Sequence, residues 1–261
     1  MKRFRGGLGF VSVGRGARPL VVFDGLWVSD EPQPLTARTY RFLGDAYTVY
    51  VVSRRRGMPS GYSLADMADD YAAMIAEEFE APVDVLGVST GGSIALHVAG
   101  DHPGLVRRLV LHSAAVRLSE EARRAQRESA RLAGLGEWPD ALAQLISPSL
   151  WGPGPMRTLG LALIRPVAWF LTRRAPRDPS DYITTIEAED ALDFAGRLGE
   201  ITAPTLVVSG ARDPFYSPSL FRETAEGIPD ATLVLYEGQG HVPSGREFQR
   251  DVRAFLLGER S

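Results

Sequence analysis

Residues 82–92 read PVDVLGVSTGG, and this stretch decides how the rest of the chain is interpreted. The mainly apolar residues 83–86 predict a strand, and a helix is predicted to begin directly after Ser89. Glycines lie two positions before and two positions after this serine. A strand, a sharp turn and a helix around G-x-S-x-G are typical of a nucleophile elbow, which holds a serine in a strained turn. The strain crowds the neighbouring positions, so glycine is favoured there.

The composition indicates one globular domain and excludes several classes of function. The chain has 261 residues, of which 44% are hydrophobic and 23% charged, so it can bury a sizeable core. The formal net charge of -3 gives no electrostatic basis for nucleic-acid binding. Cysteine is absent, which excludes disulfides, thiolate metal ligands and a cysteine nucleophile. Lys2 is the only lysine, so covalent catalysis would need a hydroxyl or a carboxylate.

Strand and helix patterns alternate along most of the chain. Strands are predicted at 7–13 (an edge strand), 20–23, 47–52, 83–86, 105–112, 205–209 and 232–236. Helices are predicted at 36–44, 63–80, 90–101, 217–227 and 244–257, the second with a start that resembles a capping box at Ser63 and Asp66. This alternation predicts an α/β fold with a mostly parallel central sheet and helices on both faces.

Residues 115–199 break the alternation, because they contain polar helical stretches and several prolines but no clear strand. We therefore predict a helical cap at 115–199, inserted into a core made of 1–114 and 200–261. The cap would cover the edge of the sheet formed by the carboxyl ends of the strands.

The sequence predicts a soluble cytoplasmic protein. The basic N-terminus lacks the apolar segment of a signal peptide. The most apolar long run, residues 159–171, is interrupted by Arg165 and Pro166 and is too short to span a bilayer. An interfacial role for this run is the weaker alternative, because it lacks a strong basic face.

A serine hydroxyl needs a base, and the base needs an orienting acid. In elbow-serine proteins the acid and the histidine follow the serine along the chain. His241, in GQGH just after a predicted strand, is the only histidine in the last part of the chain. Asp213, in GARD after the preceding strand, is the favoured acid. The other candidates for the acid are Asp190, Asp193 and Asp230.

On the motifs around Ser89, Asp213 and His241, the chain resembles the α/β-hydrolase fold superfamily. The similarity is to its compact, cap-bearing esterases, lactonases and haloperoxidase-like proteins, and it covers nearly all of the chain outside the cap. It implies an α/β-hydrolase fold, with Ser89 as nucleophile, Asp213 as acid and His241 as general base. It also implies an oxyanion hole formed by the backbone N–H groups of Leu26 and Thr90.

Asp24 departs from the pattern of similar proteins, which usually have His-Gly where this chain has Asp24-Gly25. Asp24 would either take over the hydrogen bonds that order the oxyanion loop or place a negative charge beside a site that must stabilise an oxyanion. The second outcome would lower activity.

The tryptophans Trp27, Trp138, Trp151 and Trp169 are candidates for an apolar substrate pocket. For the three tryptophans in the cap, packing inside the cap is the favoured interpretation.

The predicted function is a serine hydrolase that cleaves a small, largely apolar carboxylic ester or lactone through an acyl-enzyme on Ser89. It needs no cofactor, and His/Asp clusters with metal-ligand spacing are absent. The predicted partner is the small-molecule substrate, without nucleic acid or a membrane span, and a homodimer is left open. The alternatives are a cofactor-free perhydrolase or haloperoxidase-like activity, a carbon–carbon bond hydrolase, and a non-catalytic hydrolase-fold protein that binds a ligand.

Overall fold

A computed structural model gives the fold and describes residues 2–29, 31–150, 155–173 and 175–259. Its strands are β1 (Lys2–Arg3), β2 (Gly9–Val13), β3 (Arg18–Phe23), β4 (Tyr47–Val52), β5 (Val83–Val88), β6 (Val106–His112), β7 (Thr205–Gly210) and β8 (Ala231–Tyr236). Within the described residues they form one sheet in the order β1-β2-β4-β3-β5-β6-β7-β8. The pairs β1–β2 and β2–β4 are antiparallel, and the other neighbouring pairs are parallel.

The helices are α1 (Pro34–Thr39), α2 (Leu64–Glu78), α3 (Thr90–Asp101), α4 (Glu120–Gly134), α5 (Trp138–Leu150), α6 (Pro155–Thr172), α7 (Ser180–Asp190), α8 (Pro218–Gly227) and α9 (Arg246–Leu257). Helices α1, α2, α3, α8 and α9 alternate with the strands, whereas α4 to α7 all lie between β6 and β7. The predicted α/β fold with a mostly parallel sheet is therefore confirmed.

Both faces of the sheet are covered by helices. Successive side chains of a strand point to opposite faces. Accordingly Val21 and Phe23 of β3 pack in one buried cluster with α2 and α3. Leu20 and Val22 pack in a second cluster with α1 and α9. Strand β5 is buried at every residue, as expected for a central parallel strand, so the elbow that follows it starts from a rigid position.

The helices between β6 and β7 have an apolar cluster of their own. It contains Trp138, Leu142, Tyr182 and Ile186, which belong to α5 and α7. Helix α7 is joined to the loop after β4 through Asp181, whose carboxylate accepts hydrogen bonds from the N–H groups of residues 57 and 58 at 2.8 and 2.7 Å. The division into a core (1–114 and 200–261) and a cap (115–199) stays a prediction.

Two predicted elements near the N-terminus were wrong in their extent. The helix predicted at 36–44 is instead the short α1, which begins at Pro34, followed by a separate 3-10 turn at Arg41–Leu43. The predicted edge strand begins only at Gly9, because Gly7 has a φ of +88° and its N–H closes a turn onto the Phe4 carbonyl. Strand β1 pairs outside it and forms the edge.

Helix α6 carries much of the exposed apolar surface. Pro166 lies inside this helix, and Arg165 forms an ion pair with Asp140 of α5 at 3.0 Å. The exposed apolar side chains include Leu163, Val167, Trp169, Phe170 and Leu171. Even so, no helix in the described part of the chain is both long and apolar enough to cross a membrane.

Candidate active site

Ser89 occupies a strained turn between β5 and α3. Its φ of 50° and ψ of -123° lie outside the regions that L-residues ordinarily adopt. A Cβ added at Gly91 would collide with the carbonyl oxygen of Phe23, and one added at Gly87 would collide with the backbone of Gly92. The glycines around Ser89 therefore let the turn pack against β3 and against the start of α3. The side chain of Ser89 is left partly exposed at the end of β5.

His241 lies beside Ser89. It follows β8, and its Nε2 is 3.1 Å from the Ser89 Oγ. Its Nδ1 is 2.8 Å from Oδ2 of Asp213. A carboxylate only accepts hydrogen bonds, so Nδ1 carries the proton and Nε2 is the acceptor that faces the Ser89 hydroxyl. This is the tautomer required to remove a proton from serine.

Asp213 is buried and is oriented by several donors. Its Oδ1 accepts hydrogen bonds from the N–H groups of Phe215 and Tyr216 at 2.8 and 3.3 Å. Its Oδ2 accepts one from the Ser209 hydroxyl at 3.0 Å, in addition to the bond from His241. These contacts leave the carboxylate in one orientation, with Oδ2 directed at the imidazole.

The other candidate acids do not make this contact. Asp190 forms an ion pair with Arg127 at 3.1 Å, and the Oδ1 of Asp193 accepts the N–H of Ala195 at 3.2 Å. Asp230 directly precedes β8, at the opposite end of that strand from His241. Among the candidate acids, Asp213 is the one that the fold brings to His241.

Asp24 is the centre of a hydrogen-bonded loop after β3. Its Oδ1 accepts hydrogen bonds from the Gly25 N–H at 2.9 Å, the Trp27 indole N–H at 3.1 Å and the Thr36 hydroxyl at 2.9 Å. Its Oδ2 accepts the N–H of Gln33 at 3.2 Å. The carboxylate therefore connects the start of the loop to α1 and orders the segment between them.

Two effects act on the charge of Asp24. Burial raises the pKa of this carboxyl above its usual range, and the hydrogen bonds from Thr36, Trp27 and Gln33 oppose the rise. Arg54 also lowers the pKa of Asp24, and its guanidinium donates to the carbonyls of Asp24 and Gly25, both at 3.1 Å. The negative charge of Asp24, which in one of the two predicted outcomes would oppose an oxyanion, is thus balanced by hydrogen-bond donors and by the Arg54 guanidinium.

The two predicted oxyanion donors belong to the loop after β3 and to the start of α3. Thr90 is the first residue of α3, where N–H groups have no partner within the helix. Leu26 lies in the loop ordered by Asp24. In the described residues neither N–H donates to another protein group. Their role in an oxyanion hole stays a prediction.

A cavity of about 320 Å³ opens onto Ser89 and His241. It is mainly apolar, and helix α5 contributes Leu142, Leu145 and Ile146 to it. The loop after β3 adds Leu26, Trp27 and Val28, and the loop after β7 that carries Asp213 adds Phe215. The site is thus a covered, largely apolar cleft with the serine and the histidine in its wall, a form common for small-molecule sites.

Of the predicted pocket tryptophans that the structure describes, only Trp27 lines this cavity. Trp138 is buried inside the helical layer, edge-on to Tyr182 with ring centroids 5.4 Å apart. Trp169 is 64% exposed on α6 and does not line the cavity. The pocket assignments of Trp138 and Trp169 are corrected accordingly, because α5 presents its aliphatic residues to the cavity instead. Trp151 lies outside the described residues.

Sequence reasoning missed Glu189, a fully buried carboxylate on α7. It accepts hydrogen bonds from Thr90, Ser93, Gln126 and Tyr216. Glu189 therefore connects the start of α3, helix α4 and the loop after β7 that carries Asp213. No motif marks it, because its partners are distant in sequence.

His112 is fully buried at the end of β6. It also connects two segments near the site. Its Nδ1 is 2.7 Å from the Tyr40 hydroxyl, and its Nε2 is 3.1 Å from the carbonyl of Pro243. A carbonyl only accepts, so Nε2 is the protonated nitrogen and Nδ1 accepts from Tyr40. Burial lowers the pKa of His112 to about 3, so this imidazole is neutral at physiological pH.

The described residues contain no group of three or more His, Cys, Asp or Glu side chains placed to hold a metal ion. The site offers a hydroxyl, an imidazole and a carboxylate group in contact with one another. Their arrangement suits proton removal from Ser89 and attack by its oxygen on an electrophilic carbon.

Comparisons with known proteins identify related enzymes. The "Putative carbamate hydrolase RutD" of Yersinia enterocolitica is 27% identical over 251 residues, which cover 92% of this chain and 88% of the relative. The pimeloyl-acyl-carrier-protein methyl ester esterase of Neisseria meningitidis is 29% identical over 199 residues, covering 70% of this chain and 69% of the relative.

A solved structure has a similar fold. MGS-M2, an alpha/beta hydrolase enzyme from a deep-sea metagenome library of the Medee basin, superposes with a TM-score of 0.77 at 18% identity. The superposition covers 97% of this chain and 94% of that one. In addition, the model of the alpha/beta hydrolase family matches residues 21–252. The chain therefore belongs to the alpha/beta hydrolase family and is a hydrolase.

Proposed function

We propose that this protein cleaves a small, largely apolar carboxylic ester or lactone through an acyl-enzyme on Ser89. The observation that carries the proposal is the chain of contacts from the Ser89 Oγ through His241 to Asp213, at 3.1 and 2.8 Å. The esterase relative supports an ester as substrate. The apolar cavity of about 320 Å³ supports a small acyl group.

In the first half of the reaction, His241 Nε2 takes the proton of the Ser89 hydroxyl as Oγ attacks the carbonyl carbon. The N–H groups of Leu26 and Thr90 would donate to the oxyanion that forms. The proton then passes from His241 to the leaving alkoxide, and the carbon–oxygen bond of the ester breaks. The alcohol departs and the acyl group stays on Ser89. When the substrate is a lactone, the alcohol formed stays attached to the acyl group.

In the second half, His241 removes a proton from water, which attacks the acyl carbon. The carboxylic acid leaves, and Ser89 recovers its proton from His241. Asp213 holds the imidazole in the required tautomer through both halves. No cofactor enters either step. The helices of residues 115–199 act as the cap that covers the acyl group, while a cytoplasmic location and a homodimer stay predictions.

A covalent probe tests the proposal. A fluorophosphonate should label the wild-type protein and fail to label Ser89→Ala, while p-nitrophenyl acetate and butyrate should be turned over. His241→Ala should reduce that turnover about 10³-fold or more, because the nucleophile loses its base. Ser12→Ala, on the exposed side of β2, is the matched control. A folded wild-type protein that is neither labelled nor active would overturn the proposal.

A carbamate is the second candidate substrate, favoured by the RutD relative that covers 92% of this chain. The same serine attack would form a carbamoyl-enzyme. Turnover of an alkyl carbamate with a kcat/KM above that of the matched ester would favour this candidate. Turnover of the ester alone would exclude it.

A further inference from the structure

The buried carboxylate of Glu189 lies behind the elbow, and each of its oxygens accepts two hydrogen bonds. Oε1 accepts from the hydroxyls of Ser93 at 3.1 Å and Tyr216 at 3.3 Å. Oε2 accepts from the Thr90 hydroxyl at 2.6 Å and from the Gln126 amide at 3.1 Å. Glu189 is fully buried, so water does not compete for these contacts.

This environment determines which way the Gln126 side-chain amide faces. A carboxylate oxygen can only accept, so the Gln126 NH₂ group must face Glu189. Reversing the amide would bring its oxygen against the carboxylate and would leave Oε2 with one donor fewer. The Gln126 Oε1 is therefore directed away from Glu189.

That oxygen has no partner. Gln126 is only 3% exposed, and its Oε1 is the one buried side-chain polar atom in the described residues that lacks a hydrogen bond. Most buried polar atoms are paired, and an unpaired acceptor costs about 1–3 kcal/mol. An exception of this kind calls for a physical reason.

The position of Gln126 supplies one. It lines the same cavity as Ser89 and His241, and among apolar neighbours from α5 it is the polar side chain that α4 contributes. Through Glu189 it is also connected to Thr90, the residue next to the nucleophile. Gln126 therefore borders the space that a substrate would occupy, and its Oε1 is the atom of this side chain that lacks a partner.

We propose that the Gln126 Oε1 accepts a hydrogen bond from an uncharged N–H or O–H group of the substrate, and that Gln126 thereby determines specificity. This inference rests on the proposed function. The inference restricts the substrates of that function to esters, lactones or carbamates that carry such a donor. Glu189 is the positioning residue that holds the Gln126 amide in the accepting orientation. A site with a buried acceptor discriminates against analogues that lack the donor, because they leave the acceptor unpaired.

Binding to the Ser89→Ala protein tests this without requiring hydrolysis. One set of ligands is methyl hexanoate with a hydroxyl on the third, fourth, fifth or sixth carbon, each compared with a methyl group in place of the hydroxyl. The other set is butyl carbamate and its N,N-dimethyl analogue. Calorimetry should give a Kd about three- to tenfold lower for the donor member of at least one pair. The set in which this occurs distinguishes O–H from N–H as the donor.

Gln126→Met tests whether this side chain is responsible. Methionine has a similar length and no strong acceptor, so the preference for the donor member should fall to about twofold or less. Gln144→Met, on α5 and outside the cavity lining, is the matched control and should keep the preference. A merely structural role of Gln126 would weaken both members of a pair equally.

The inference is overturned if no pair differs in the Ser89→Ala protein, or if Gln126→Met keeps the full preference. The comparison of ligand pairs in the Ser89→Ala protein needs no Gln126 variant, so it can overturn the inference even if Gln126→Met does not fold. Absence of fluorophosphonate labelling, by contrast, overturns the proposed hydrolysis and leaves the binding result to be judged separately.

Discussion

At the scale of single residues, Asp24 orders the loop after β3, which carries the proposed oxyanion donor Leu26. Four donors converge on this carboxylate, which is 5% exposed: the N–H groups of residues 25 and 33, the Trp27 indole and the Thr36 hydroxyl. Of the two roles that the sequence left open, these contacts support the ordering of the loop. A histidine has fewer acceptor sites than a carboxylate and could not satisfy all four donors.

We predict that Asp24→Ala lowers the free energy of unfolding by about 3 kcal/mol, because buried donors lose their acceptor. It should also lower kcat/KM for p-nitrophenyl butyrate about tenfold, because the loop that carries Leu26, the proposed oxyanion donor, loses its ordering contacts. Urea unfolding and steady-state kinetics measure these effects, with Asp69→Ala on α2 as the control. Asp24→His should likewise lower turnover; an increase would mean that the native charge handicaps the oxyanion site.

Ser89, Asp213 and His241 could be selected from the sequence because each lies in a short motif directly after a strand. The carboxyl ends of parallel strands meet at one edge of a sheet, and the resemblance to α/β-hydrolases implied that these three side chains meet there. Gln126 and Glu189 could not be selected in this way. Glutamine and glutamate on polar helical segments are typical of solvent-exposed faces, and nothing local marks these two as buried.

At the scale of elements, helix α2 begins with the capping box that its sequence predicts. The Ser63 hydroxyl accepts the Asp66 N–H at 3.1 Å, and the Asp66 carboxylate accepts the Ser63 N–H at 2.8 Å. This interaction is contained within four residues, so it depends little on the rest of the fold. The helices between β6 and β7 behave differently, because the sequence left two interpretations of the Trp138 side chain open, and in the structure α5 presents aliphatic side chains to the cavity.

We predict that Ser63→Ala lowers the free energy of unfolding by about 1 kcal/mol and leaves esterase activity unchanged. The helix loses its N-cap acceptor, while α2 contributes no residue to the cavity. Urea unfolding measures the loss, and the exposed Ser60→Ala, three residues before, is the control. A change in kcat/KM of more than about twofold would contradict the separation of this helix end from the site.

At the scale of the whole molecule, His112 makes stability depend on pH. Burial lowers the pKa of His112 from 6.5 to about 3. Between these values the unfolded chain binds a proton that the folded protein does not bind. The free energy of unfolding therefore falls as pH decreases through this window, by up to about 1.4 kcal/mol per pH unit.

We predict that His112→Gln flattens this dependence by close to the same amount. Glutamine keeps a side-chain donor for the Pro243 carbonyl but does not titrate. Urea unfolding of both proteins at pH 6.5, 5.5 and 4.5 compares the two slopes, so contributions from all other groups cancel. Equal slopes would mean that His112 is protonated in the folded state over this range.

The sequence by itself determined the alternation of strands and helices, the strained turn at Ser89 and the chain order of Asp213 and His241. These features are local, since each follows from the periodicity of a segment or from a turn that requires glycine. Only the tertiary structure decided the partners of Asp24, the side chains that line the cavity and the orientation of the Gln126 amide. The physical reason is distance along the chain: Glu189 meets Gln126 and Thr90 across 63 and 99 positions, and such contacts exist only after the helices have packed over the sheet.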